Sequence, residues 1–185
     1  MRSKSFEGMA CSIAGALEAI GDRWAVLILR DLTFGLSKYE DLRRSTGVTH
    51  ATLSDRLRHL EDNELVERRR YQSNPQRYEY ILTRKGRDSA LITQALLQVG
   101  DKWAVSGDRG PPVRFIDRKS GRGLKLVLVD AETGAPVKPA DVVPQEGSGA
   151  DDLVRWRVKT FKERHGRRSS SVPSRRSSCT SNNAH

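Results

Sequence analysis

Cysteine is nearly absent: Cys11 and Cys179 are the only two in 185 residues. Two thiols at opposite ends of a chain cannot form a disulfide framework, so the fold must rest on its apolar core. No run of about 18 apolar residues is present that could span a bilayer. The N-terminal stretch lacks the charged-then-apolar pattern of a secretory signal, so the chain is expected in the cytoplasm. Histidine is scarce as well. His50, His59, His165 and His185 show no metal-ligand spacing, no Gly-rich phosphate loop occurs, and Cys11 has no obvious paired base. These absences remove the usual footing for metal, nucleotide or nucleophilic catalysis, and neither enzymatic activity nor a cofactor is expected.

Acidic residues are outnumbered, 23 Asp/Glu against 33 Lys/Arg, which leaves a net charge of +10. The excess is uneven. Residues 1–105 carry 17 Lys/Arg against 14 Asp/Glu, residues 106–150 carry 7 against 6, and residues 151–185 carry 9 against 3. Between Arg43 and Arg87 the balance is 11 against 6. A basic balance of this kind favours a polyanionic partner.

The densest pattern is Ser37–Asn63, which reads as two short helices broken at Gly47, a helix-turn-helix. The first has Tyr39 and Leu42 inward and Ser37 as its expected N-cap, and it ends where Gly47 can take positive φ. The second is predicted over 49–63, capped by Thr49. Leu53, Leu57 and Leu60 form its buried stripe, while Ala51, Thr52, Asp55, Arg58 and His59 point away and Arg56 lies on the flank. Small, hydroxylic, cationic and imidazole side chains suit a helix lying in a major groove. The alternative is an ordinary surface helix with solvated charges.

Two β-rich runs follow, Glu64–Tyr71 and Arg77–Leu82, separated by a Ser-Asn-Pro turn signal. They predict a β-hairpin over about 66–82. A hairpin placed directly after a recognition helix is a wing. Its cations, Arg68, Arg69, Arg70 and Arg77, could reach phosphates or a minor groove, or could merely protect a sheet edge.

With these elements in place the chain resembles the HxlR-type transcriptional regulators, winged-helix proteins related to the MarR group. The resemblance is carried by Cys11, by Ala16–Trp24 and Leu27–Leu32, by Tyr39–Arg43 and Leu53–Glu61, and by Leu65–Arg68 and Tyr78–Gly86, in the family's order. It covers about the first 105 residues. The resemblance implies a homodimer built from the first and last helices of that region. It also implies duplex DNA as partner and a small-molecule or redox effector.

Ser12–Ile20 is a helix with Ile13, Ala16, Leu17 and Ile20 on one face, and Asp22 caps the next helix, whose apolar side is Trp24, Leu27, Ile28 and Leu32. Trp24 is expected to pack rather than to stack on a ligand. Past the wing, Thr83 caps a helix to about Trp103 whose face of Leu91, Ala95, Leu96 and Val99 exceeds what a three-helix head needs. Gly107–Pro112 is a linker signal, and Val113–Asp117, Leu124–Val129 and Ala135–Val137 read as short strands. This layout looks similar to a zinc-ribbon-like segment of some family members, but no Cys or His lies between Gly107 and Ala150, so no zinc can be held there. Asp151–Arg164 can form a basic helix, and the Ser/Arg-rich stretch from Gly166 has too little apolar area to order itself.

The expected fold is therefore mainly α with a β-hairpin wing, plus a small C-terminal β module and a basic tail. The expected domains are 1–105 (DNA-binding and dimerisation), 106–150 (β-rich module) and 151–185 (basic helix and tail). The expected function is a cytoplasmic, nucleoid-associated, homodimeric transcriptional regulator, a repressor or an activator. Phosphate contacts are assigned to Lys38, Arg43, Arg44, Arg68, Arg69, Arg70 and Arg77. Base contacts are assigned to Thr49, His50, Thr52, Arg56 and His59, with Arg58 on the same outward face. The competing reading is a winged-helix protein-interaction or redox-sensing module without operator binding. Cys11, just before the first helix, is either a redox sensor favoured by the helix N-terminus or a small packing residue.

Overall fold

A computed structural model describes residues 5–103, 107 and 110–169. The chain divides into two compact units, Met1–Pro139 and Ala140–His185. No helix among the described residues is long and apolar enough to cross a membrane.

The first unit contains α1 (Ser12–Ile20), α2 (Arg23–Thr33), α3 (Tyr39–Thr46), α4 (His50–Asp62), β1 (Val66–Gln72), β2 (Arg77–Leu82) and α5 (Arg84–Lys102). Its core is one cluster. Ile28 and Leu29 of α2, Leu42 of α3, and Leu53, Leu57 and Leu60 of α4 are closed over by Leu65 and Val66 at the root of the hairpin. Ile28, Leu42, Leu53, Leu57 and Leu60 are positions that the 3.6-residue repeat put inward; on α2 the buried face is turned from the expected one, with Ala25 and Leu29 fully buried and Trp24 and Leu27 only partly so. The caps mostly follow the sequence. Asp22 accepts from the amides of Trp24 and Ala25, Thr49 from Thr52 and Thr83 from Gly86. Gly47 ends α3 at φ 70 in the left-handed region.

One expected cap is different. Lys38, not Ser37, is the N-cap of α3, and it makes no side-chain cap bond. The reason lies in the wing. The Tyr80 amide donates to the Ser37 carbonyl at 2.7 Å, Lys38 forms an antiparallel bridge with Glu79, and the Ser37 hydroxyl donates to the Glu79 carboxylate at 3.2 Å. Ser37 is thus drawn onto the free edge of β2. β1 and β2 pair antiparallel with Arg69 opposite Glu79 and Arg70 opposite Tyr78, and the register slips between Arg70 and Gln72.

The root of the wing is a tight junction. α4 closes with a Leu65 amide bond to the Leu60 carbonyl at 2.9 Å. That six-to-one bond needs a left-handed residue just past the helix, and here Glu64 supplies it at φ 57. Thr83, arriving from β2, donates its hydroxyl to the Glu64 carbonyl at 2.6 Å and its amide to the Leu65 carbonyl at 3.1 Å. Gly86 in the first turn of α5 lies so close that a Cβ there would sit 1.8 Å from the Leu65 oxygen.

Leu91, Leu96 and Val99 of α5, Trp103 at its C-cap, and Ile13 and Leu17 of α1 are exposed. Beyond α5, the stretch expected as three strands is instead two minimal hairpins, each closed by a single bridge, Ile116 with Gly123 and Val129 with Pro136. Both turns have one design. Asp117 accepts from the amides of Lys119 and Ser120 and the Ser120 hydroxyl, and Gly121 follows at φ 69. Asp130 does the same with Glu132 and Thr133, and Gly134 follows at φ 69. The segment between them is tied to α5 by the Gln98 amide, which donates to the Leu126 carbonyl at 3.1 Å and accepts from the Leu126 amide at 2.9 Å. The bonds within each turn are local and side-chain mediated, so short bridges suffice where strands had been expected.

In the second unit, α6 spans Asp152–Ser169 and begins under the Asp151 carboxylate, which accepts from the Val154 amide at 2.8 Å. The helix thus continues past Arg164 and Gly166, where the sequence suggested its end. The rest of the expected tail, residues 170–185, and Cys179 with it, lies outside the described residues.

Candidate nucleic-acid interface

α4 presents three stripes. Leu53, Leu57 and Leu60 face the core, Ala51, Asp55, Arg58 and Asp62 face solvent, and Thr52, Arg56, His59 and Asn63 face sideways. The N-terminal end of the helix is shaped by Tyr39. Its hydroxyl donates to the His50 carbonyl at 3.0 Å and lies 3.0 Å from the Ser54 hydroxyl, while its ring stacks on His50 at 5.7 Å and 11°. Thr49 and Thr52 are joined by their hydroxyls at 3.0 Å, which uses part of their hydrogen-bonding capacity within the cap. His50, Ser54 and Arg58 of α4 and the cap residue Thr49 are exposed to solution, and of these four Arg58 alone makes no side-chain hydrogen bond among the described residues.

Two of the expected base readers are turned elsewhere. Arg56 donates its Nε to Asp22 at 2.7 Å and is also ion-paired with Asp55. His59 lies half-buried over Gly21, with Nε2 3.0 Å from the Glu18 carbonyl oxygen at the end of α1. A hydrophobic repeat assigns every non-apolar position to solvent. It cannot see that the α1–α2 corner offers a carboxylate and an orphan carbonyl to this flank.

The wing cations divide similarly. Arg69 makes a two-nitrogen contact with Glu79 at 2.9 and 2.7 Å. That guanidinium, with help from Ser37 and Lys38, holds the Glu79 carboxyl below its ordinary range. Arg68 lies over the Tyr78 ring at 4.4 Å and Lys38 over Tyr71 at 5.6 Å. Arg43 pairs with Glu40 at 3.1 Å. Arg44, Arg58, Arg70 and Arg77 are exposed and make no ion pair among the described residues. Tyr71 went unnoticed in the sequence. The available signal was an aromatic one residue past the arginine triplet; the register slip at that place is seen only in the structure. The neighbouring Tyr80 phenol is pushed up by burial.

Cys11 occupies the N-cap position of α1, half-buried, and its side chain makes no capping bond. No group of three or more His, Cys, Asp or Glu side chains is gathered as a metal site among the described residues.

An exposed helix N-terminus flanked by a wing with unpaired arginines is the arrangement of a DNA-reading head. Residues 19–108 match the family described as HxlR-like helix-turn-helix. The uncharacterized HTH-type transcriptional regulator Rv3095 of Mycobacterium tuberculosis is 37% identical over 147 residues, covering 80% of this chain and 91% of that protein. Among solved structures, the candidate transcription factor PA1607 superposes with a TM-score of 0.69 at 30% identity, over 78% of this chain and 100% of that one. The candidate transcription factor PA1374 of Pseudomonas aeruginosa gives 0.56 at 32% identity, over 80% and 99%.

Proposed function

Because this chain belongs to the HxlR-like helix-turn-helix family and is a transcriptional regulator with a winged DNA-binding fold, we propose that it binds a specific operator as a homodimer. In this reading the N-terminal half of α4 enters the major groove, with His50, Ser54 and Arg58 toward base edges and Thr49 and Thr52 shaping the entry. Arg44, Arg70 and Arg77 neutralise phosphates, and the Lys38–Tyr71 pair braces the wing against the backbone. The single observation that carries the reading is the set of exposed arginines left without an ion pair among the described residues on α3, α4 and the hairpin (Arg44, Arg58, Arg70 and Arg77), while Arg43, Arg56 and Arg69 on the same elements are paired. The dimer is supported by the apolar side chains left exposed on α1 and α5, Ile13 and Leu17 with Leu91, Leu96, Val99 and Trp103.

Selection of bound fragments from random duplex DNA, followed by sequencing, tests both parts. The expected product is an inverted repeat with half-sites about one helical turn, roughly 34–36 Å, apart. An unstructured set of fragments would overturn the specific-operator reading. Sedimentation of the free protein at the mass of one chain across the micromolar range would overturn the dimer.

A further inference from the structure

A recognition helix held only by leucines could roll in its seat, because apolar contacts have little directional preference. α4 is held by more than leucines. Asp22, at the start of α2, uses Oδ1 to cap its own helix, accepting from Trp24 at 2.9 Å and Ala25 at 3.0 Å. Its Oδ2 accepts from Arg56 Nε at 2.7 Å. One carboxylate therefore joins the N-terminus of α2 to the middle of α4. The Arg56 and Asp22 side chains are 30% and 34% exposed, so water weakens the pair only in part. A turn further along α4, His59 Nε2 lies 3.0 Å from the Glu18 carbonyl oxygen, a hydrogen bond in the tautomer that carries its proton on Nε2. The same ring rests on Gly21, where a Cβ would lie 3.0 Å from it.

We infer that the Asp22–Arg56 pair, with His59 on Glu18 as its second point, is a latch that sets the roll of the recognition helix, making Asp22 and Arg56 positioning residues for operator choice although neither touches DNA. The inference rests on the proposed placement of α4 in the major groove. A roll of about 10° moves a side-chain tip by roughly 1 Å, enough to spoil a bidentate base contact. Two directional bonds on successive turns suppress that motion in a way that Leu53, Leu57 and Leu60 alone do not. The guanidinium is also largely neutralised, with Asp22 on its Nε and Asp55 on its Nη1.

The latch and a reading role for Arg56 predict opposite signs in one experiment. D22N keeps an effective helix cap while removing the charge that holds Arg56. R56M keeps much of the aliphatic stem and removes the guanidinium. Each variant is assayed by fluorescence anisotropy on operator and on scrambled duplex across a salt series, with thermal melts alongside. A latch predicts that D22N and R56M each lower the operator-to-scrambled affinity ratio by about fivefold, that the double variant loses no more than either single, and that the salt slope is unchanged. If Arg56 contacts DNA itself, D22N frees a cation and tightens binding, while R56M lowers the log–log salt slope by about 0.9. Either of those results overturns the latch, as does a fall in melting temperature with an unaltered ratio. A wild-type protein with no operator preference overturns the reading on which the latch rests. A preference that survives D22N overturns the latch alone.

Discussion

Replacing Gly86 by alanine tests the junction at the root of the wing, because the usual expectation has the opposite sign. Alanine in a helix interior normally gains about 1 kcal/mol over glycine. At Gly86 the added Cβ would meet the Leu65 carbonyl oxygen at 1.8 Å and its carbon at 2.8 Å, with Leu82 Cδ2 at 3.2 Å. Carbon and carbonyl oxygen approach to about 3.3 Å, so helix and carbonyl must separate by about 1.5 Å. That oxygen accepts the Thr83 amide at 3.1 Å and is 3.4 Å from the Thr83 hydroxyl. Losing these contacts costs about 1 kcal/mol each, and the residual crowding costs about 1–3 kcal/mol. After subtracting the helix gain, G86A is expected to destabilise by about 3 kcal/mol, a fall in Tm on the order of 10 °C. Urea denaturation followed by circular dichroism measures it. G100A in the same helix is the control, since nothing lies within 4 Å of its Cβ, and it should stabilise by up to about 1 kcal/mol. A G86A protein as stable as the wild type would refute the junction as described.

Four further outcomes follow from single features. E64G should raise unfolding free energy by about 1 kcal/mol, because Glu64 holds φ 57 at a position where glycine has no Cβ penalty. C11S should raise it by about 0.5–1 kcal/mol, since a hydroxyl can cap the amides of α1 that the thiol leaves untouched; an unchanged melt would place serine outside capping geometry. R77A should leave the melt within about 0.5 kcal/mol of wild type and lower the salt slope of DNA binding by about 0.9; equal binding at matched salt would remove the wing tip from the interface. Asp117 and Asp130 lie below their ordinary 3.8, chiefly through the Ser120 hydroxyl and the Thr133 amide respectively. Their contribution is therefore full above that value and is lost as pH falls through the lower folded value. Amide exchange at Ser120 and Thr133 should accelerate in that acid window, and D117A and D130A should show the acceleration already at neutral pH.

The helices, the hairpin and most caps were legible because each depends on local chemistry: a leucine every three or four residues, a threonine before a turn, a glycine where φ must be positive. What stayed hidden depends on partners distant in sequence. Ser37 left its cap because Glu79 and Tyr80, 42 and 43 residues away by number, draw it into the sheet edge. Arg56 and His59 turned sideways because Asp22 and Glu18 wait at the α1–α2 corner. Glu64 gives no sign of left-handed backbone, since glycine or asparagine is the usual signal there. Among the candidate DNA-contacting residues, Arg44, Arg58, Arg70 and Arg77 stand exposed without an ion pair among the described residues, whereas Arg43, Arg56 and Arg69 meet a carboxylate and His59 meets a carbonyl that the fold supplies.

The twin turns beyond α5 have a consequence for how this stretch can change over generations. Asp117 and Asp130 stand thirteen residues apart, each followed at the same offsets by a hydroxyl and a glycine. Within each turn the closing bonds run between neighbours, the longest from the Leu124 amide to the Phe115 carbonyl and from the Val137 amide to the Leu128 carbonyl. Such a unit carries its own instructions. Duplication or loss of one whole copy would leave the turn of the other intact, and the attachments to be kept are Gln98 at Leu126 and the packing of Phe115 on Phe34. Lengths differing by multiples of the repeat should therefore survive in descendants of this sequence, whereas insertions of a few residues inside a turn would separate the carboxylate from the amides it holds.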